Sequence, residues 1–220
     1  MAKTFGAQDI LAALGITAAD WEVQDSGDDD QADTAVVKGA NGNYIAASDK
    51  QFNDRNEKTI TIKPKDPDGV AASFNLGGAG TAGVVITQFS ARQVNNDYAT
   101  LQVTAHVHDS GDIHLATPAA VGVSLTLGFG VLSNYLNGTL ADCQSSDLSG
   151  AAEHVDKLNN QGAGLVGASA GFRFDCTEEY VDDGSAISVA APWKQDSQAV
   201  DTSNADFYMR IVRGHAYSLS

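Results

Sequence analysis

One short pattern occurs twice in this chain, and a repeated unit constrains a fold more than any single motif does. Val36–Ala46 reads VVKGANGNYIA and Val155–Val166 reads VDKLNNQGAGLV. Each has an apolar residue ahead of a lysine, a turn rich in Asn and Gly, and then a bulky apolar pair, Tyr44-Ile45 or Leu165-Val166. Gly42 and Gly162 are 120 positions apart. An arginine-led stretch follows each copy, RNEKTITI from Arg55 and RFDCTEEY from Arg173, at a spacing of 118 that Thr59 and Thr177 share. The ends correspond again. Asp97, Tyr98 and His106 precede Asp206, Phe207 and His215 by 109 positions. A spacing that shrinks along the chain is what unequal loops between matched strands produce. One conflict stands against the match. At a spacing of 109, polar Thr100 and Gln102 fall against apolar Met209 and Ile211, which inverts the strand faces unless a one-residue bulge intervenes. The expectation is one β unit used twice.

Residue alternation agrees. In KTITIK, Ile60 and Ile62 share one face and Thr59, Thr61 and Lys63 the other. GVVITQFSA and ATLQVTAHV form the clearest strand pair, with QVNNDY as the hairpin between them. Leu101, Val103 and Ala105 are expected inside, and Gln102, Thr104 and His106 outside. KPKDPDG (63–69) breaks a strand, and VGVSLTLGFGVL (121–132) opens a second strand-rich half, with TPAA (117–120) at the join. LSGAAEHVDKLNN resembles a helix in composition, but its counterpart at 35–38 is β-like, so its centre is read as a strand. Helix is expected only at AQDILAAL (7–14), where Ile10, Leu11 and Leu14 share a face and Gly15 suits the C-terminal cap. Thr17 suits the N-cap of a short turn after it. The expected organisation is a helical arm over 1–20, a first β unit over 21–115 and a second over 116–220.

The chain has 220 residues and a net charge of −15. Such a surface repels nucleic acid and excludes a groove that grips it. It does not exclude a conduit, because an acidic wall keeps DNA from sticking as it passes; solubility alone is the simpler account. The start, MAKTFGAQDI, has no apolar signal region, which gives an expectation of assembly in the cytoplasm with no membrane partner. Cys143 and Cys176 are too few for a disulfide framework. Each is expected to be a buried free thiol, a bridge being open only if folding brings them together. DSGDDDQAD (25–33) is expected to be an exposed acidic loop. It lacks the glycine and distant glutamate of a calcium loop, leaving a weak cation site as the alternative.

Several motifs resemble chemistry. GAGTAG (78–83) fits G-x-G-x-x-G, but a β-branched strand follows where the dinucleotide fold needs a helix. GASAG (167–171) fits the G-x-S-x-G elbow around Ser169, again with a strand following. HVHDSGDIH (106–114) is the sharpest case. His106 and His108 point to one side of a strand, and Asp109, Asp112 and His114 could close around a metal. Polar residues are also expected at a strand end, and no further ligand is identifiable, so no metal, cofactor or catalytic residue is assigned. NGT at Asn137 matches a glycosylation sequon, which carries meaning only in a secreted chain.

The order of GANGNYIA, EKTITIK and then GVVITQFSARQVNNDYATLQVTAHVHD resembles tail-tube and related tail structural proteins of tailed bacteriophages. VVITQFSARQVNNDYATLQVTAH carries most of the likeness, which covers residues 34–109 and more loosely 121–217. The resemblance implies a mainly β chain of two tandem β-sandwich or barrel units with a short N-terminal helix. It implies a structural virion protein whose copies form stacked rings lined by an acidic channel for DNA. Most such proteins have one unit per chain and six chains per ring, and some have two units and three chains. The implied partners are other copies, other phage tail proteins and DNA that passes without specific binding. The competing classes are another virion or surface β module, for decoration or adhesion, and a metal-dependent enzyme using His106, His108 and His114.

Overall fold

The computed structural model describes residues 7–38, 44–78, 84–108, 121–136, 142–158, 164–203 and 208–219. The chain is mainly β. One helix, α1 (Ala7–Ala13), precedes β1 (Trp21–Lys38), β2 (Tyr44–Pro64), β3 (Val70–Leu76), β4 (Val85–Val94) and β5 (Thr100–His108). Then come β6 (Val121–Leu127), β7 (Cys143–Leu158), β8 (Gly164–Val181), β9 (Lys194–Asp201) and β10 (Met209–Ala216).

Eight strands lie side by side in the order β1-β2-β5-β4-β7-β8-β10-β9, every neighbour antiparallel. The alternation read from sequence sets their faces. Ile60 and Ile62 of β2, Leu101, Val103 and Ala105 of β5, Phe89 and Ala91 of β4, Leu148 of β7 and Phe174 and Cys176 of β8 are all buried on one side. Gln102, Gln88, Ser90 and Arg92 are exposed on the other. The buried side is roofed by a second layer. β3 and β6 pair with each other along their whole length, and β3 touches β4 only through the parallel pair Leu76↔Ile86. β6, expected to open the second half, is thus tied to β3. Phe74 of β3 meets Phe89 edge-on at a centroid distance of 5.3 Å, and Phe89 lies 6.3 Å from Phe174, so three aromatic rings link the layers.

The helix forms as expected and ends at Gly15, whose φ of 68° reverses the chain so that the Ile16 N–H donates to the Leu11 carbonyl at 3.0 Å. Ile10, Leu11 and Leu14 are buried in the common core, so the helix is packed into the fold. Thr17 Oγ1 donates to Asp20 Oδ2 at 2.7 Å and closes the following turn.

The acidic stretch 25–33 corrects the expected loop. It is part of β1, paired with β2 from Trp21↔Pro64 to Lys38↔Tyr44. An outermost strand has a neighbour on one side only, so its side chains need not be apolar for its ladder to form. Asp25, Ser26, Gly27 and Asp29 are exposed there. β2 pairs with β5 only from Arg55 to Ile62, and β7 pairs with β4 only from Ser145 to Ala151. The rest of the β1–β2 and β7–β8 hairpins therefore runs past the same end of the sheet.

The face conflict in the sequence match does not materialise. Met209 and Ile211 are half-buried, while Val212 and Gly214 are fully buried. The two apolar residues lie on the same open face as Gln102 without any bulge in the β8–β10 ladder.

Gly150 is where the sheet and its aromatic chain meet most closely. A Cβ there would stand 2.4 Å from Phe89 Cε1 and 2.8 Å from Phe174 Cδ1. Gly150→Ala is therefore expected to destabilise the fold by about 1–3 kcal/mol through overpacking. Ser149→Ala, one residue away on the opposite face, should stay within about 0.5 kcal/mol. Urea unfolding of the pair checks this, and equal midpoints would remove Gly150 from the account.

Candidate functional site

Two features of the described residues have no internal use: the outer edges of the sheet and its open polar face. β1 pairs only with β2, and β9 only with β10. Each therefore presents a row of backbone N–H and C=O groups toward no other described strand, and such edges take up another strand readily. β9 is exposed along nearly all its length.

The open face is lined by short polar side chains held to one another across strands. Thr59 and Thr104 hydroxyls lie 3.0 Å apart, and Ser145 Oγ donates to Glu179 Oε2 at 3.0 Å. The face carries Glu22, Asp25, Asp29, Glu57, Asp147, Asp175, Glu179 and Asp201 against Lys63, Arg92, Arg173, Lys194 and Arg213. Arg173 forms a two-pronged pair with Asp175 at 2.8 Å, and Arg92 faces Asp147 at 3.8 Å, so two of the cations are matched within the face. A depression over Gly150 is lined by Gln88, Gln102, Thr104, Ser149, Arg173 and Asp175. These are hydrogen-bonding groups without a nucleophile set against a base.

The motifs singled out from sequence fare differently. Ser169 sits within β8, opposite His154 of β7, and shares a hydrogen bond of 2.8 Å with His154 Nδ1. It is buried, and a Cβ at Gly77 would lie 2.7 Å from its own Cβ, so the chain closes over it. A serine in a continuous ladder beneath covering backbone lacks the exposed turn and free N–H groups of a nucleophile elbow. GAGTAG lies outside the described residues from 79 to 83; it is preceded by β3 and followed by β4, where the dinucleotide fold has a helix. His106 is on the expected outer side but is buried, its ring stacked edge-on against His154 at 4.3 Å. The His108 side chain, Asp109, Asp112 and His114 lie outside the described residues, as do Asn137 and TPAA. Among the described residues no three His, Cys, Asp or Glu side chains converge as metal ligands. Cys143 and Cys176 are buried free thiols, as expected; burial raises both thiol pKa values, that of Cys143 to about 12.

A buried carboxylate escaped the sequence reading. Glu178 is on the inward side of β8, between Cys176 and Tyr180, and is fully buried. It accepts hydrogen bonds from the Tyr135 N–H at 2.6 Å, the Leu136 N–H, the Ser146 hydroxyl and the Tyr180 hydroxyl. It thereby pins residues 135 and 136 over the core. The signal was available: in RFDCTEEY, alternation from Phe174 and Cys176 places Glu178 and not Glu179 inside. A second, half-buried polar set, Arg210 with Asp182 at 2.6 Å and Gln198 at 2.7 Å, fastens the 182–193 segment to β9 and β10.

No helix among the described residues is long and apolar enough to cross a membrane. Comparison with protein-family models and with curated proteins finds no match to this chain.

Glu178 predicts a pH dependence. Burial raises its pKa above the ordinary 4.5, partly offset by hydrogen bonds from Tyr180, Tyr135, Leu136 and Cys176. The folded chain then holds this proton more tightly than the unfolded one. Its contribution to stability is fully present below the ordinary value and declines as pH rises through the raised value. Relative to the native chain, Glu178→Gln should gain stability from about pH 4 upward and then level off. Parallel stability curves for the two chains between about pH 4 and pH 8 would show that Glu178 does not titrate across this window.

Proposed function

We propose that this chain is a structural virion protein of the tail-tube type, whose copies join edge to edge into rings that stack into an acidic conduit for DNA. The observation that carries the reading is a sheet with two unfilled outer edges and an open polar face on which acids outnumber bases. Edge-to-edge union satisfies both rows of backbone groups, and a head-to-tail union of β9 with β1 generates a ring if the rotation closes. The open face then lines the channel. Its carboxylates repel DNA phosphates over about 8 Å at physiological salt, and its threonines, serines and glutamines offer no fixed positive grip. The reading assigns no catalytic step. The partners are other copies and other tail proteins, DNA passes without specific binding, and assembly takes place in the host cytoplasm before incorporation into the virion.

Contact between rings falls to elements that reach beyond the sheet. α1 is committed to the core and the acidic stretch to an edge strand. The β1–β2 and β7–β8 hairpins, which run past the same end of the sheet, are the natural axial contacts. The same two hairpins favour a second reading, a decoration or adhesion module that reaches toward another surface.

Negative-stain imaging of concentrated protein separates the two: rings and short stacks with an open centre are expected. The assembled chain should not retain duplex DNA, whereas Glu57→Lys with Glu179→Lys should retain it in a manner that weakens with salt. A chain that stays monomeric when concentrated, or a channel lined by more bases than acids, would move the decoration reading to first place.

A further inference from the structure

The halves β1-β2-β5-β4 and β7-β8-β10-β9 have the same connectivity, a long hairpin followed by a hairpin whose later strand lies inside. Their registers agree residue by residue. Ile62 faces Leu101 in one half; Tyr180, 118 positions after Ile62, faces Arg210, 109 positions after Leu101. The irregularities agree as well. The β1–β2 ladder slips between Val23 and Asp25, between Gln31 and Asp33 and between Val37 and Lys38, with a further slip between Thr34 and Val36 that β7–β8 does not share. The β7–β8 ladder slips between Cys143 and Ser145, Ala151 and Glu153, and Lys157 and Leu158, each 120 positions later. The β4–β5 ladder skips Thr87, and the β9–β10 ladder skips Asp196, 109 positions on. Bulges are specific features of a fold, and shared positions for them are what a duplicated unit leaves behind.

In this correspondence β9 is the counterpart of β4, and β1 is the counterpart of β7. The chain already contains one β4–β7 junction, running from Gln88↔Ala151 to Val94↔Ser145. We propose that β9 of one copy pairs antiparallel with β1 of the next in the register that this internal junction sets, so that Ser197 faces Gln31, Ala199 faces Asp29 and Asp201 faces Gly27. The occupant of both edges is a second copy of this chain. The inference rests on the self-assembly reading above and gives its contact.

Two observations support it independently of the register. Ala91 of β4 is 1% exposed against β7, whereas its counterpart on β9, Val200, is 41% exposed, an apolar residue at an unfilled edge. A Cβ at Gly27 would meet nothing within 4 Å, so the open face beside Asp201 of a neighbouring copy is uncrowded at this position. The two junctions differ in charge. Inside the chain Arg92 faces Asp147 at 3.8 Å. Between copies Asp201 faces Gly27 and lies diagonal to Asp25 and Asp29, all acidic. The internal junction is thus matched, and the external one is opposed by like charges that salt screens. Assembly should therefore strengthen as salt rises, the reverse of binding held together by ion pairs.

The test uses double-cysteine variants of the full chain. Cys143 and Cys176 are buried and do not compete for oxidation. Ala199→Cys with Asp29→Cys, oxidised in assembled protein, should give a ladder of covalently linked copies on a non-reducing gel. Ser197→Cys with Gly27→Cys, four residues out of register, should give none. Light scattering of the uncross-linked chain should show larger mass in about 0.5 M salt than at about 0.02 M, where screening is weak. Rings that form while only the out-of-register pair links overturn this register and leave the assembly reading standing. Variants that link only within a single chain, or a native chain that is monomeric at every salt concentration, overturn both.

Discussion

The antiparallel ladder between β4 and β7 is the contact on which the rest of the molecule depends. It joins two four-stranded halves into one continuous sheet and so merges their buried faces into one core. It sets Gly150 against Phe89, which closes the chain of rings from Phe74 to Phe174. It also decides where the sheet ends. Once β4 and β7 are spent on each other, β1 and β9 are the strands left with a bare side. A sheet of this kind cannot satisfy its last backbone groups from within unless it closes on itself, and water or another chain must supply the partners.

The two halves are covered by different means. Over β1, β2 and β5 the cover is apolar, with Ile10, Leu11 and Leu14 of the helix in the same core as Ile60, Ile62 and Leu101. Over β8 and β10 the positions matching Ile62 and Leu101 are Tyr180 and Arg210. Polar anchors there hold irregular segments: Glu178 binds residues 135–136, and Arg210 with Asp182 and Gln198 holds 182–193. A buried carboxylate or ion pair is no cheap source of stability. It is, however, a geometric fastener, and it suits segments whose own backbone donors find no ladder. That difference explains why the apolar patterns of the halves look less alike than their strand registers.

Much of this was legible along the chain. Period-two alternation located the faces of β2 and β5, and it placed Leu101, Val103 and Ala105 inside, because a strand's side chains alternate whatever its neighbours are. The Asn/Gly stretches marked where β1 gives way to β2 and where β7 gives way to β8. The acidic stretch misled because composition was taken for conformation. Exposure was inferred correctly, but an edge strand can be as exposed as a loop. His106 was assigned to the outer side by parity and is nonetheless buried, since the stacked ring of His154 comes from a strand distant in sequence.

The sequence by itself determined the strand periodicity, the helix and its glycine stop, the acidic balance and the spacings of 120, 118 and 109 between matched segments. These are local properties, carried by neighbouring residues and their side-chain chemistry. Only the tertiary structure decided strand order, the β4–β7 junction, the roof of β3 and β6, the burial of Ser169 and the backbone donors that meet Glu178. Those depend on which strands compete successfully for the same backbone partners, and a strand's two hydrogen-bonding sides are identical in sequence. The bare edges at β1 and β9 belong to the same class: they exist only because every other pairing has been made.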